Sequence, residues 1–114
     1  MIDFACKQFD INEIIKCSLG LTKSEYETFS FMLENDEEFS TNDLSKERNL
    51  DLSTIQRTLK KLVDKELVQR RQINLDQGGY LYVYNIKDKK MIRDKILSII
   101  HVWTGKVEKE LKIW

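Results

Sequence analysis

Apolar residues recur along this chain in five blocks of helical period and one block of period two. Asp10-Ile11-Asn12-Glu13 has capping-box spacing, in which an N-cap oxygen and a carboxylate three residues on satisfy the first free helix amides. It predicts a short helix to about Leu19, with Gly20 as its stop. Thr22-Lys23-Ser24-Glu25 repeats the signal. Tyr26, Phe29, Met32 and Leu33 follow at three- and four-residue intervals, so this helix buries one face before the polar turn Asn35-Asp36-Glu37-Glu38. Phe39 restarts the chain, and Ser40 or Thr41 is expected to cap a helix that ends near Arg48 and turns Leu44 inward. Asn49-Leu50-Asp51 is a tight connection. Asp51 then serves as N-cap of a longer helix to about Lys65, with Ile55, Leu59, Leu62 and Val63 on its buried side.

The period changes after that helix. Residues 67–74 have extended character, and Asp76-Gln77-Gly78-Gly79 supplies turn chemistry, because glycine permits positive φ. Tyr80-Leu81-Tyr82-Val83-Tyr84-Asn85-Ile86 is aromatic and β-branched. Its three tyrosines project to one side, where they are expected to cover the core; stacking on exposed bases is the lesser reading. Two short helices about a tight turn, a longer helix and a hairpin make a winged helix-turn-helix. The expected fold class is mainly α with a small β-hairpin (α+β). A domain over 21–87 would be flanked by an N-terminal helix in 1–20 and a C-terminal dimerisation helix in 88–114.

That last helix should run from a cap at Asp88 to about Lys112. At 100° per residue, Ile92, Ile96, Ile99, Ile100, Trp103, Val107, Leu111 and Trp114 fall within an arc of about 120°. A small domain cannot cover so long a stripe. Each such side chain gains roughly 1.5–3 kcal/mol from burial, and a second copy of the helix is the simplest cover. These eight are therefore the expected homodimer interface. Gly105 lies on the far side of the stripe, where it is expected to mark a weak point or bend. His101 also lies opposite and is expected to face solvent.

Composition narrows the class. With 114 residues, 41% of them hydrophobic, the chain is one domain's worth and too apolar for disorder. No apolar run reaches the ~20 residues of a membrane span, and the start lacks a secretory signal, so a soluble, cytoplasmic domain is expected. Cys6 and Cys17 with one histidine cannot build a disulfide framework or a four-ligand zinc site, and no cofactor is expected. The cysteines are expected to be ordinary and half-buried; oxidant sensing is the sharper alternative. No pairing of nucleophile, base and oxyanion donors suggests an enzyme.

Nineteen basic and nineteen acidic groups cancel, but unevenly. Residues 1–52 carry a net −7, residues 53–75 a net +4 and residues 76–114 a net +3. A domain that binds nucleic acid by general basicity has a pI above roughly 9, whereas this one has 6.6. Any nucleic-acid surface must be local.

The segment Leu19-Gly20-Leu21-Thr22-Lys23-Ser24-Glu25-Tyr26-Glu27 resembles the opening of archaeal TrmB-type regulators. The run from Leu44 to Leu62 is similar to the helix-turn-helix shared by that group and the MarR-type regulators, as are Lys65-Glu66-Leu67-Val68 and the tyrosine-rich strand. The resemblance spans residues 19–86, and the terminal helices agree with a MarR-like dimer in placement. It implies a DNA-binding regulator. The glycine usual in the turn is replaced by Asn49, which tolerates left-handed geometry. No sugar-binding domain follows residue 114, so the effector chemistry of long TrmB proteins is not expected to carry over, and the effector is unknown.

In a winged helix the residues near the start of the second helix approach base edges in the major groove. Gln56 suits adenine and Arg57 guanine; Ser53 and Thr54 suit phosphate near the helix N-terminus. Lys60 and Lys61 would neutralise backbone charge, and Arg70, Arg71 and Gln77 on the wing would reach the backbone or minor groove. The leading expectation is a sequence-specific, homodimeric regulator of double-stranded DNA, a repressor. The alternatives are an architectural protein with little sequence preference and a winged helix used for protein contacts.

Overall fold

The computed structural model describes all residues, 1–114, and divides into two compact units. Unit one comprises Met1–Lys23 and Lys89–Trp114; unit two comprises Ser24–Asp88.

Unit two holds the winged helix-turn-helix. Helix α2 (Lys23–Glu34) reaches into it, followed by α3 (Thr41–Arg48), α4 (Leu52–Asp64) and the antiparallel strands β3 (Val68–Asn74) and β4 (Tyr80–Ile86). α3 begins where the sequence places it: Ser40 accepts from the Asp43 amide and Asp43 accepts from the Ser40 amide. It ends on Asn49 in left-handed geometry (φ 52°), whose turn returns the Leu50 amide to the Ser45 carbonyl at 3.1 Å. Asp51 stands at the N-cap of α4, where its carbonyl takes the Ile55 amide at 3.1 Å but its side chain caps no amide. Its carboxylate takes the Ser53 hydroxyl instead, at 2.9 Å. Phe29, Leu44, Ile55, Leu62 and Leu67 are fully buried and form the centre of the core, with Met32, Leu59 and Val68 beside them.

The wing is in register from Val68 opposite Ile86 to Asn74 opposite Tyr80. Its turn closes through Gly78 to Leu75 and Leu75 to Gly79, with φ of 92° and 82° at the two glycines. Phe39 adds a bridge on the outer side of β4, exchanging both bonds with Tyr84 at 2.9 and 2.7 Å. The tyrosines do not cover the core. Val83 is the buried residue in mid-strand, while Tyr80 is 58% exposed and Tyr82 and Tyr84 are only half-buried. Burial does not follow period two along β4: Ile86, in step with the tyrosines, is buried, while Leu81, in step with Val83, is 38% exposed.

Unit one contains the hairpin β1 (Ile2–Phe4) and β2 (Lys7–Phe9), α1 (Ile11–Leu19) and α5 (Lys89–Lys112). The hairpin carries no sequence signature: its strands have three residues each, and the connection is Ala5-Cys6, with Ala5 at φ 34°. α1 is capped by Asp10 and stopped by Gly20 at φ 65°. α5 is continuous through Gly105. Nothing lies near that glycine, so no neighbour demands a missing side chain. Both cysteines are exposed rather than half-buried, since Cys17 falls on the outer flank of α1. His101 is exposed. Of the α5 stripe, Ile92 is buried and Ile96, Ile99 and Ile100 are half-buried. The distal part is open, with Trp103 62%, Leu111 57% and Trp114 98% exposed. No helix is long and apolar enough to cross a membrane.

Candidate nucleic-acid interface

Ile55, Leu59 and Leu62 hold α4 against the core, each no more than 1% exposed. At 100° per residue, Ser53, Gln56, Arg57 and Lys60 share an arc of about 100° on the opposite side, and all four are exposed. Thr54 and Lys61 lie further round and are half-buried. That rotation separates two adjacent lysines. Lys60 carries no ion pair, whereas the Lys61 ammonium sits 2.7 Å from Glu25 of α2 and ties the two helices together. The Arg57 guanidinium rests 3.4 Å from the Thr54 hydroxyl one turn back. The Ser53 hydroxyl is engaged by Asp51, whose carboxyl the Thr54 and Ser53 hydroxyls hold below its usual range.

The wing presents its own cations. Arg70 stacks over the Tyr82 ring at 4.2 Å from the centroid, and Tyr80 meets Tyr82 edge-on at 5.2 Å. Arg71 is gripped by Glu38 through two bonds, Nε to Oε2 at 2.9 Å and Nη2 to Oε1 at 2.7 Å. The hydrogen bonds and charge of Arg71 hold the Glu38 carboxyl below the usual carboxylate value, and Glu38 in turn raises the guanidinium. Gln77 is exposed in the turn at the tip. Unit two thus gathers all nine residues that the sequence singles out for DNA, on one helix and one hairpin.

Sequence reasoning missed the acidic partners. Glu25, Glu27 and Glu38 each pair with a cation: Lys61, Arg48 and Arg71. Part of the acidic first half therefore serves to hold basic side chains of the helix-turn-helix and wing in place. Separations of 36 and 33 residues for Lys61 and Arg71 leave no local spacing to find them by.

Three helices, with the third bearing an exposed polar and cationic face, followed by a basic hairpin, define the winged helix class of transcriptional regulators. The family model "Sugar-specific transcriptional regulator TrmB" matches residues 15–90, and the chain belongs to that family. An uncharacterized protein of Methanocaldococcus jannaschii is 33% identical over 105 residues, 92% of this chain and 86% of that protein. A solved structure described as a possible transcriptional regulator from Methanosarcina mazei Go1 is 47% identical, with a TM-score of 0.91. It covers 100% of this chain and 96% of its own. A MepR mutant of S. aureus, bound to an oligodeoxyribonucleotide, shares the fold at a TM-score of 0.58 and 15% identity, over 87% of this chain and 72% of its own. The chain is a transcriptional regulator of winged-helix type, placed by its family among regulators and not enzymes.

Proposed function

We propose that this chain is a sequence-specific repressor that binds double-stranded DNA as a homodimer, with α4 in the major groove and the wing on the backbone or in the minor groove. The observation that carries the reading is the α4 face, where Ser53, Gln56, Arg57 and Lys60 stand exposed opposite a fully buried apolar side. Gln56 and Arg57 suit bidentate contact with adenine and guanine. Thr54 and Ser53 lie near the helix N-terminus, where phosphate is favoured. Lys60, Arg70, Arg71 and Gln77 would add backbone contacts, and Lys61 serves the α2–α4 packing.

The homodimer is supported by the open distal stripe of α5, with Trp103, Val107, Leu111 and Trp114 uncovered. Two half-sites would then lie about 10 bp apart, one helical turn. Zero net charge speaks against an architectural role, which depends on a broadly cationic surface. Selection of bound sequences from a random duplex pool, with mass measured in parallel, tests the reading. A two-fold symmetric consensus and a dimer mass are expected; recovery of unselected sequence would overturn it.

A further inference from the structure

Arg71 is the one cation of the wing already held by an anion. Its Nε and Nη2 meet both oxygens of Glu38, the forked geometry in which a guanidinium also takes a phosphate. The place of Glu38 is set by its neighbours. Phe39, 7% exposed, is locked to Tyr84 by two backbone bonds, and Ser40 opens the capping box of α3. Arg71 stands opposite Val83 in the same strand pair, one position from Tyr84. Strand register thus brings the carboxylate to the guanidinium. The two side chains are 58% and 40% exposed, so a phosphate can reach the fork. Lys60 on α4 has no ion pair, and Arg57 has only the nearby charge of Asp51, without a forked bond.

We propose that Glu38 is a built-in competitor for DNA phosphate, occupying from within the chain the fork of Arg71 that the duplex backbone would take. The proposal rests on the reading that the wing meets DNA. Docking there exchanges one bidentate anion for another and leaves Glu38 beside the phosphates, where its charge repels them. Arg71 therefore adds little to a loose encounter. It engages fully only where α4 already holds the wing against the backbone.

The test titrates a mixed-sequence duplex of about 30 base pairs into the intact chain and its variants at several salt concentrations. E38Q is expected to bind roughly two- to fivefold tighter per subunit, the range for release of an exposed ion pair. Its salt slope should steepen by about 0.9 per subunit, one phosphate more. E37Q removes the same charge from the same turn and is expected to give a smaller gain. In the R71Q background the E38Q gain should shrink to that of E37Q, the part due to lost repulsion alone. Unchanged or weaker binding by E38Q, an equal gain in E37Q, or a gain undiminished by R71Q overturns the competitor. If R57Q and K60Q weaken binding while E38Q does nothing, the DNA reading stands without it. Absence of duplex binding by every variant at low salt sinks both.

Discussion

The Lys61 ammonium lies 2.7 Å from the Glu25 carboxylate, while Lys60, one residue earlier, points to solvent from the same helix. Adjacent lysines on α4 therefore have separate tasks. Glu25 is 18% exposed and Lys61 35%, so their pair is better shielded from water than an ordinary surface bridge. Lys61→Ala is expected to lower stability by about 1 kcal/mol and to leave the salt dependence of duplex binding nearly unchanged. Lys60→Ala is expected to do the reverse, lowering the salt slope by about 0.9 per subunit. Denaturant melts beside salt titrations of both variants decide this; a larger loss of slope in Lys61→Ala would reassign it to the backbone.

Two helix ends adopt left-handed geometry without glycine. Asn49 closes α3 at φ 52°, and Glu66 follows α4 at φ 62° with its amide on the Val63 carbonyl at 2.9 Å. Asparagine tolerates that region, while a longer side chain is strained by roughly 1 kcal/mol or more. Glu66→Gly should therefore raise the melting temperature, and Asn49→Ala should lower it, each by an amount equivalent to about 1 kcal/mol. Thermal unfolding by circular dichroism reads both. A drop for Glu66→Gly would mean that its side chain contributes more than its backbone strain costs.

The caps show how far local chemistry carries a sequence reading. Asp10, Gly20, Ser40 and Asn49 act within a few residues of themselves, so the boundaries of α1 and α3 are legible in the chain. The β1–β2 hairpin is not, because three-residue strands joined through Ala5 and Cys6 show neither alternation nor a turn signature. Nor does the period of Tyr80, Tyr82 and Tyr84 tell that Val83 faces the core. The α4 face was readable from helical period alone. The restraint on Lys61 and Arg71 was not, since it depends on tertiary contact with Glu25 and Glu38.

Acid should reveal two carboxylates. Glu38 is held below its ordinary 4.5 by Arg71, and Asp51 below its ordinary 3.8 by the hydroxyls of Thr54 and Ser53. A group whose folded value is depressed contributes stability above its unfolded value and loses it as pH falls through the folded one. Stability should therefore be insensitive to these groups between pH 6 and 8 and decline below about 4.5. Glu38→Gln is expected to make that acid-side decline shallower in urea melts at pH 3 to 5. An unchanged slope would mean that the Arg71 pair does not persist in solution.

The distal stripe of α5 gives the sharpest test of assembly. Trp103 is 62% exposed and Leu111 57% within one protomer, so a charge at either site removes little intramolecular packing. Any large effect must then arise between protomers. Exposed aromatic side chains of this size are the anchors on which interface energy concentrates, and burying a charge against a partner without compensation costs several kcal/mol. Trp103→Asp is expected to shift sedimentation from dimer to monomer at micromolar concentration and to leave the helical content of the protomer intact. It should also weaken binding to a two-half-site duplex by at least tenfold, because each subunit alone contacts only half of the phosphates. Wild-type melting temperature should rise with protein concentration, and that dependence should disappear in the variant. A Trp103→Asp protein that still sediments as a dimer would place the interface away from the distal stripe of α5.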